Sequence, residues 1–240
     1  MTGQISRRGL IQACGKTALA AAAAEVVPSV ALAHLLETPT RARLVDADGA
    51  PIKASDLKPH DTLLFNYPFT ATPVMLVALE DAPAADGVMT TDAEKHSVAW
   101  PGGTGPDNNL VAYAAICAHS LSFTGHETSF VNYSAGKNSY GFEKSISCCA
   151  HGSVYDPSQG AKVVNGPAQY NLASIVLEHN PNDDSLTAVD AIGTEIYAKF
   201  YKSFRKKLRN EYGRKTYRSQ VEGDILALSA AAYSKDVLHC

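Results

Sequence analysis

A chain of 240 residues, 45% apolar, 19% charged and with a formal net charge of −3, is long enough for one large domain with appendages. That balance excludes an intrinsically disordered chain and a globally basic nucleic-acid binder. The charge is uneven, however: between Lys199 and Arg218 nine basic residues are opposed only by Glu211.

The first element reads as an export signal. Arg7 and Arg8 precede Gly9, Leu10 and Ile11, an Ala-rich apolar run follows, and Ala31-Leu32-Ala33 forms an A-x-A cleavage site. This is the pattern of a twin-arginine signal over residues 1–33, with the bacterial periplasm as destination. A membrane-spanning helix wants about 20 predominantly apolar residues, and Lys16, Glu25 and Pro28 interrupt this run. The expectation is a cleaved signal, with a retained anchor in the inner membrane as the alternative. Of the five cysteines, Cys14 lies in the signal and Cys240 is the last residue of the sequence. Cys117, Cys148 and Cys149 are an odd number for a disulfide framework. Beside histidines, in an oxidising compartment, they read as ligands rather than bridges.

Residues 41–198 read as one all-β domain. "DTLLFNY", "PVMLVALE", "NLVAYAAIC", "ASIVLEH" and "LTAVDAI" are short β-rich runs, separated by turn clusters such as "PGGTGPDNN", "DPSQG" and "NPNDD". Such spacing predicts a sandwich or barrel. The stretch from Ser120 to Ser147 is rich in Ser, Gly and Asn and reads as a surface loop with one short hairpin. From Tyr197 the period changes: Tyr197, Phe200, Tyr201, Phe204 and Leu208 fall at helical spacing with basic residues on the other faces. "ILALSAAAY" predicts a second helix. Residues 199–240 therefore read as a basic, helical C-terminal extension appended to the domain. Its basic stretch, 199–218, suits an acidic partner or an anionic membrane surface, and an exported protein has no use for nucleic acid.

Two loops carry the chemistry. Cys117-Ala118-His119 and Cys148-Cys149-Ala150-His151 supply two thiolates and two imidazoles. That donor set suits a tetrahedral Cys2His2 zinc, and equally a [2Fe–2S] centre with the thiolates on one iron and the imidazoles on the other. His126, near the first loop, is a further candidate ligand or loop contact.

The flanks carry a resemblance. "CAHS" at 117–120, "CCAHGSVYD" at 148–156 and "NGPAQYNL" at 165–172 resemble the Rieske [2Fe–2S] proteins. The resemblance implies an antiparallel sheet sandwich with a small cluster-binding subdomain at about 114–170, and one Rieske-type [2Fe–2S] cluster. It implies Cys117 and Cys148 on one iron and His119 and His151 on the other. Cys148 is preferred to Cys149 because C-x-x-H is the family spacing; Cys149-Ala150-His151, a slip of one residue, is the rival. It also implies that Ser153 and Tyr155 donate hydrogen bonds to cluster sulfur and raise the potential, and that Gly166 and Pro167 belong to a loop covering the cluster. Disulfide-braced members have cysteines at the places of Ser122 and Ala150, so the expectation is a centre without that brace and Cys149 as a small, buried, unpaired filler.

Residues 60–198 look more particularly like the small subunit of arsenite oxidase, to which a Rieske subunit of the iodate reductase group is related. The function this implies is electron transfer, one electron at a time, between a large molybdopterin-type subunit and an acceptor. The chain alone would not be catalytic. The alternative is the Rieske subunit of a bc-type quinol–cytochrome c oxidoreductase, with quinol or cytochrome as electron partner. A zinc-stabilised interaction module is the reading outside redox chemistry.

Overall fold

The computed structural model describes residues 40–83, 87–92 and 94–240; the signal expected over 1–33 lies outside them. In chain order the strands begin with β1 (Ala42–Val45), β2 (Thr62–Asn66), β3 (Pro73–Ala78), β4 (Gly87–Thr90), β5 (Ser97–Trp100) and β6 (Leu110–Ala114). Next come β7 (Thr128–Ser129), β8 (Val131–Ser134), β9 (Ser145–Cys148), β10 (Ser153–Asp156) and β11 (Lys162–Asn165). The chain continues through β12 (Ser174–Asn180), β13 (Ser185–Ile192), α1 (Glu195–Ser203) and α2 (Arg205–Glu211), and then β14 (Gly223–Leu226), α3 (Ala230–Tyr233) and β15 (Asp236–Val237). None of the described helices is long and apolar enough to cross a membrane.

The largest sheet has seven strands in the order β14-β1-β13-β12-β6-β3-β2. Burial explains the sequence of two neighbouring inner strands: β3 ("PVMLVA") and β6 ("LVAYA") are buried at every position, so both read as continuous apolar runs rather than alternating ones. β13, paired on both sides by β1 and β12, alternates more, as a strand with a wetter face should. Beyond β14, Leu228 exchanges both backbone hydrogen bonds with Leu64 of β2, at 2.7 and 2.9 Å. This contact joins the two edges of the sheet and leaves fewer unpaired groups there.

A second sheet, β11-β10-β9-β8, has four strands, and its β8 and β9 come from the stretch between the two Cys/His motifs. The stretch expected to be a loop thus supplies the short β7 as well as β8 and β9, and the last two form the anticipated hairpin. Its connection is organised by the buried Asn138, whose Oδ1 accepts the Tyr140 and Phe142 N–H groups, both at 3.0 Å.

The expectation for residues 199–240 needs correction. They are helical only through the end of α1, α2 and the four-residue α3, and Ile225 and Leu226, expected in a helix, lie on β14. β14 pairs in parallel with β1, from Ala42↔Gly223 to Val45↔Leu226. The segment is therefore part of the principal sheet and no appendage. The reason is local: 223–226 begins at Gly223 in left-handed backbone (φ 79) and finds the open hydrogen-bonding edge of β1. The helical period itself is real, for Tyr197, Phe200, Tyr201 and Leu208 are all buried. The helix breaks at Phe204, which separates α1 from α2.

Candidate metal centre

Two turns present the predicted ligands. The first leaves the end of β6 and holds Cys117 and His119; the second is the tight connection of the β9–β10 hairpin, where Cys148 pairs with Ser153 across the ladder. The two turns share one backbone design. The Leu121 N–H donates to the Cys117 carbonyl, and the Gly152 N–H to the Cys148 carbonyl, both at 3.0 Å. In each the fourth residue after the cysteine is left-handed, with φ 61 at Leu121 and φ 74 at Gly152. A leucine there costs about 1–2 kcal/mol, offset by its packing against the core.

The design aims backbone N–H groups at sulfur. His119 and Ser120 donate to the Cys117 thiol, and Ala150 and His151 to that of Cys148. Both thiols are buried and neither is in a disulfide. They hydrogen-bond to each other: the bond from Cys148 pulls the Cys117 thiol down, with help from the Tyr155 hydroxyl. The same bond, then burial, pushes Cys148 up. Tyr155 Oη stands 3.4 Å from Cys117 Sγ and accepts the Ala118 N–H at 3.1 Å. Burial and then the Cys117 charge hold its pKa well above 10, so it remains a phenol that can donate to sulfur. Ser153 Oγ, fully buried, accepts the Ala168 N–H at 3.2 Å, and among the described hydrogen bonds its own proton goes to no protein acceptor.

The imidazoles form a second pair. His119 and His151 are both exposed, with ring centroids 5.1 Å apart and planes nearly perpendicular. Gly166 and Pro167 close the site from one side. Gly166 is left-handed (φ 85), and a Cβ on it would lie 2.3 Å from the Gly152 carbonyl oxygen. Only glycine lets this loop lie directly on the second ligand turn. Pro167 and His119 line a common cleft of about 260 Å³ with Tyr170 and Lys199.

The donors therefore come as a buried pair of thiols and an exposed pair of imidazoles. Among the described residues no three His, Cys, Asp or Glu side chains gather closely enough for one metal ion. A pair of thiols and a pair of imidazoles match the donor set of a binuclear centre with one pair on each metal. His126 lies apart from this set. Its ring centroid is 5.2 Å from that of Tyr212 and 4.8 Å from that of Tyr233, and its backbone N–H donates to the Glu211 carboxylate at 2.9 Å.

The expectation of an unpaired Cys149 is overturned: Cys149 is disulfide-bonded to Cys240, with Cα atoms 5.5 Å apart. Geometry explains it. Segment 234–240 runs along residues 125–132 and brings Cys240 beside the hairpin turn, where its Sγ also lies 3.4 Å from Ser147 Oγ. Cys240 is absent from the sequence-based expectation, and the signal for it is arithmetic. With Cys117 and Cys148 assigned as ligands, Cys149 and Cys240 are the even remainder outside the signal. The same bond counts against Cys149 as a ligand.

Residues 72–176 match the family model described as the Rieske [2Fe-2S] domain, and the chain accordingly contains a Rieske [2Fe–2S] domain. Such a domain implies one [2Fe–2S] cluster of the Rieske type. Among solved structures, the soluble domain of the Rieske protein II (soxF) from Sulfolobus acidocaldarius is similar at 19% sequence identity and a TM-score of 0.46, covering 65% of this chain and 80% of that one.

Proposed function

We propose that Cys117 and Cys148 hold one iron of the cluster and His119 and His151 the other, and that the chain relays single electrons between two redox partners. The observation that carries this reading is the buried thiol pair beside two exposed imidazole edges. When bound, such a cluster supplies reversible one-electron exchange, at a potential raised by its neutral histidine ligands. The residues around it do the rest. The four turn amides and Tyr155 donate to sulfur, which favours the more negative, reduced state. The exposed ring edges of His119 and His151 leave room for a partner and for protons.

The partner we infer is a large molybdopterin-type subunit in the periplasm, as in arsenite oxidase, with a cytochrome as acceptor. The likeness of residues 60–198 and the Arg7-Arg8 signal support it. Charge supports an acidic docking face. Lys199 shares the cleft beside His119, and Lys202, Arg205, Lys206, Arg209 and Arg214 line the neighbouring cleft on α1 and α2. Lys199 and Lys202 stand three residues apart on one helix and so are surface neighbours.

Low-temperature EPR of ascorbate-reduced protein, with iron, sulfide and zinc counted on the same sample, tests the ligand assignment. A rhombic Rieske-type signal with two irons per chain is expected, lost in Cys148→Ser and His151→Ala while Cys149→Ser still loads two irons. Retention of the cluster in Cys148→Ser would defeat the assignment. Molybdenum in the complex purified from periplasm supports the proposed partner; co-purification with b- and c-type cytochromes and no molybdenum would replace it with the bc-type reading.

A further inference from the structure

Residues from 195 onward hold each ligand turn by a separate grip. On the first turn the grip is aromatic. Phe123 is tied to the ligand backbone: it pairs with Ile116 across a β-bridge, and the Cys117 N–H donates to the adjoining Ser122 carbonyl at 2.8 Å. Its ring meets Phe200 and Phe204 nearly edge-on, with centroids 5.0 Å away in both cases, and Lys207 Nζ lies 4.7 Å over its face. On the second turn the grip is covalent, since Cys149 is bonded to Cys240 and adjoins Cys148 in the chain.

Between the two grips the segment is fastened along its length. Lys235 N–H donates to the His126 carbonyl at 2.9 Å, Asp236 N–H to that of Glu127 at 3.0 Å and Leu238 N–H to that of Ser129 at 3.2 Å. The Ser234 hydroxyl donates to the Gly125 carbonyl at 2.7 Å, and Asn132 Nδ2 to that of Leu238 at 2.9 Å. Among the described residues no covalent cross-link joins the two ligand turns to each other.

We propose that residues 195–240 act as an external clamp that fixes one ligand turn relative to the other, with Phe204 and the Cys149–Cys240 bond as its positioning contacts. The inference rests on the assignment of Cys117, His119, Cys148 and His151 as ligands. Two donor pairs on two separate turns hold a binuclear centre only while the turns keep their spacing, and such sites fail when their supporting contacts loosen. Edge-to-face aromatic pairs resist sliding in the first grip. A bond across a sequence separation of 91 residues removes much of the freedom of the second.

The test uses the holoprotein. Iron release to a ferrous chelator at fixed temperature is timed for the wild type, for the double variant Cys149→Ser/Cys240→Ser, for Phe204→Ala and for Phe204→Tyr, with EPR g-values and thermal midpoints recorded alongside. The clamp requires the cysteine variant to lose iron at least about tenfold faster, with shifted or broadened g-values. Phe204→Ala changes in the same direction and Phe204→Tyr behaves as the wild type. Wild-type release rates and g-values in both Cys149→Ser/Cys240→Ser and Phe204→Ala overturn the clamp, even if their midpoints fall, because a merely structural tail would move only the latter. Should the cysteine variant not fold, the bond is opened in folded wild type with a dithiol and its opening verified by alkylation and intact mass. Faster iron release then supports the clamp, and an unchanged rate overturns it. The ligand assignment fails separately, by retention of two irons in Cys117→Ser.

Discussion

At the scale of single residues, two side chains make opposite uses of burial. Tyr155 is sealed in as a phenol and offers its proton to Cys117 Sγ at 3.4 Å. Tyr155→Phe removes that donor and leaves the ring, so the midpoint potential is expected to fall by roughly 59 mV, a decade in a one-electron equilibrium, as measured by protein-film voltammetry. No change would show that the hydroxyl serves only the Ala118 amide. Asp184 is exposed enough to titrate against the fold. The Ser55 hydroxyl and N–H, followed by His179, hold it down at about 2 from an ordinary 3.8. A lowered carboxyl stabilises above its unfolded value and loses that effect as pH falls through its folded one. The stability it lends is therefore full above about 4 and gone below about 2. Asp184→Asn should flatten that part of an acid-unfolding curve and leave the shape of the curve above about pH 5 unchanged.

At the scale of elements, α1 shows what the tail contributes. Phe200 is fully buried among Phe123, Tyr201 and Phe204. Phe200→Ala is expected to cost roughly 3–5 kcal/mol in denaturant unfolding, whereas the exposed Lys202→Ala should stay within about 0.5 kcal/mol. A small loss for Phe200→Ala would mean that the helix docks loosely. This helix was legible in the sequence because its apolar residues keep one period. The β-rich runs at 61–67, 73–80, 109–117, 173–179 and 186–192 were legible from their composition and the turns that bound them, and all became strands. The proposed ligands Cys117, His119, Cys148 and His151 could be picked out because C-x-H and C-x-x-H are short-range patterns. β14 was not legible, since "GDIL" has no period of its own and becomes a strand only because β1 presents a free edge. The Cys149–Cys240 bond was hidden for a related reason: adjacency of residues 91 apart is a property of the folded backbone, and nothing in the local sequence encodes it.

At the scale of the molecule, the pair Leu64–Leu228 determines whether the seven-stranded sheet has open edges. Leu228→Pro deletes the N–H that donates to the Leu64 carbonyl at 2.9 Å. The expected loss is about 1–3 kcal/mol, with faster amide exchange across β2 and unchanged exchange in the β9–β10 hairpin. Uniformly faster exchange would instead mean that the sheet and the cluster-side sheet open as one unit.

The placing of β1 has a consequence for how the molecule is made. Its neighbours are β13, through Thr187 and Ala188, and β14, at 223–226. Pairings of such sequence separation close slowly, and a ribosome adding about 5–20 residues per second needs roughly 4–15 seconds to travel from Cys149 to Leu226. For that interval Cys117, Cys148 and Cys149 are three thiols on an unfinished sheet, free to pair wrongly wherever oxidant is present. The Cys149–Cys240 bond, which needs segment 234–240 in place beside residues 125–132, can close only after that interval.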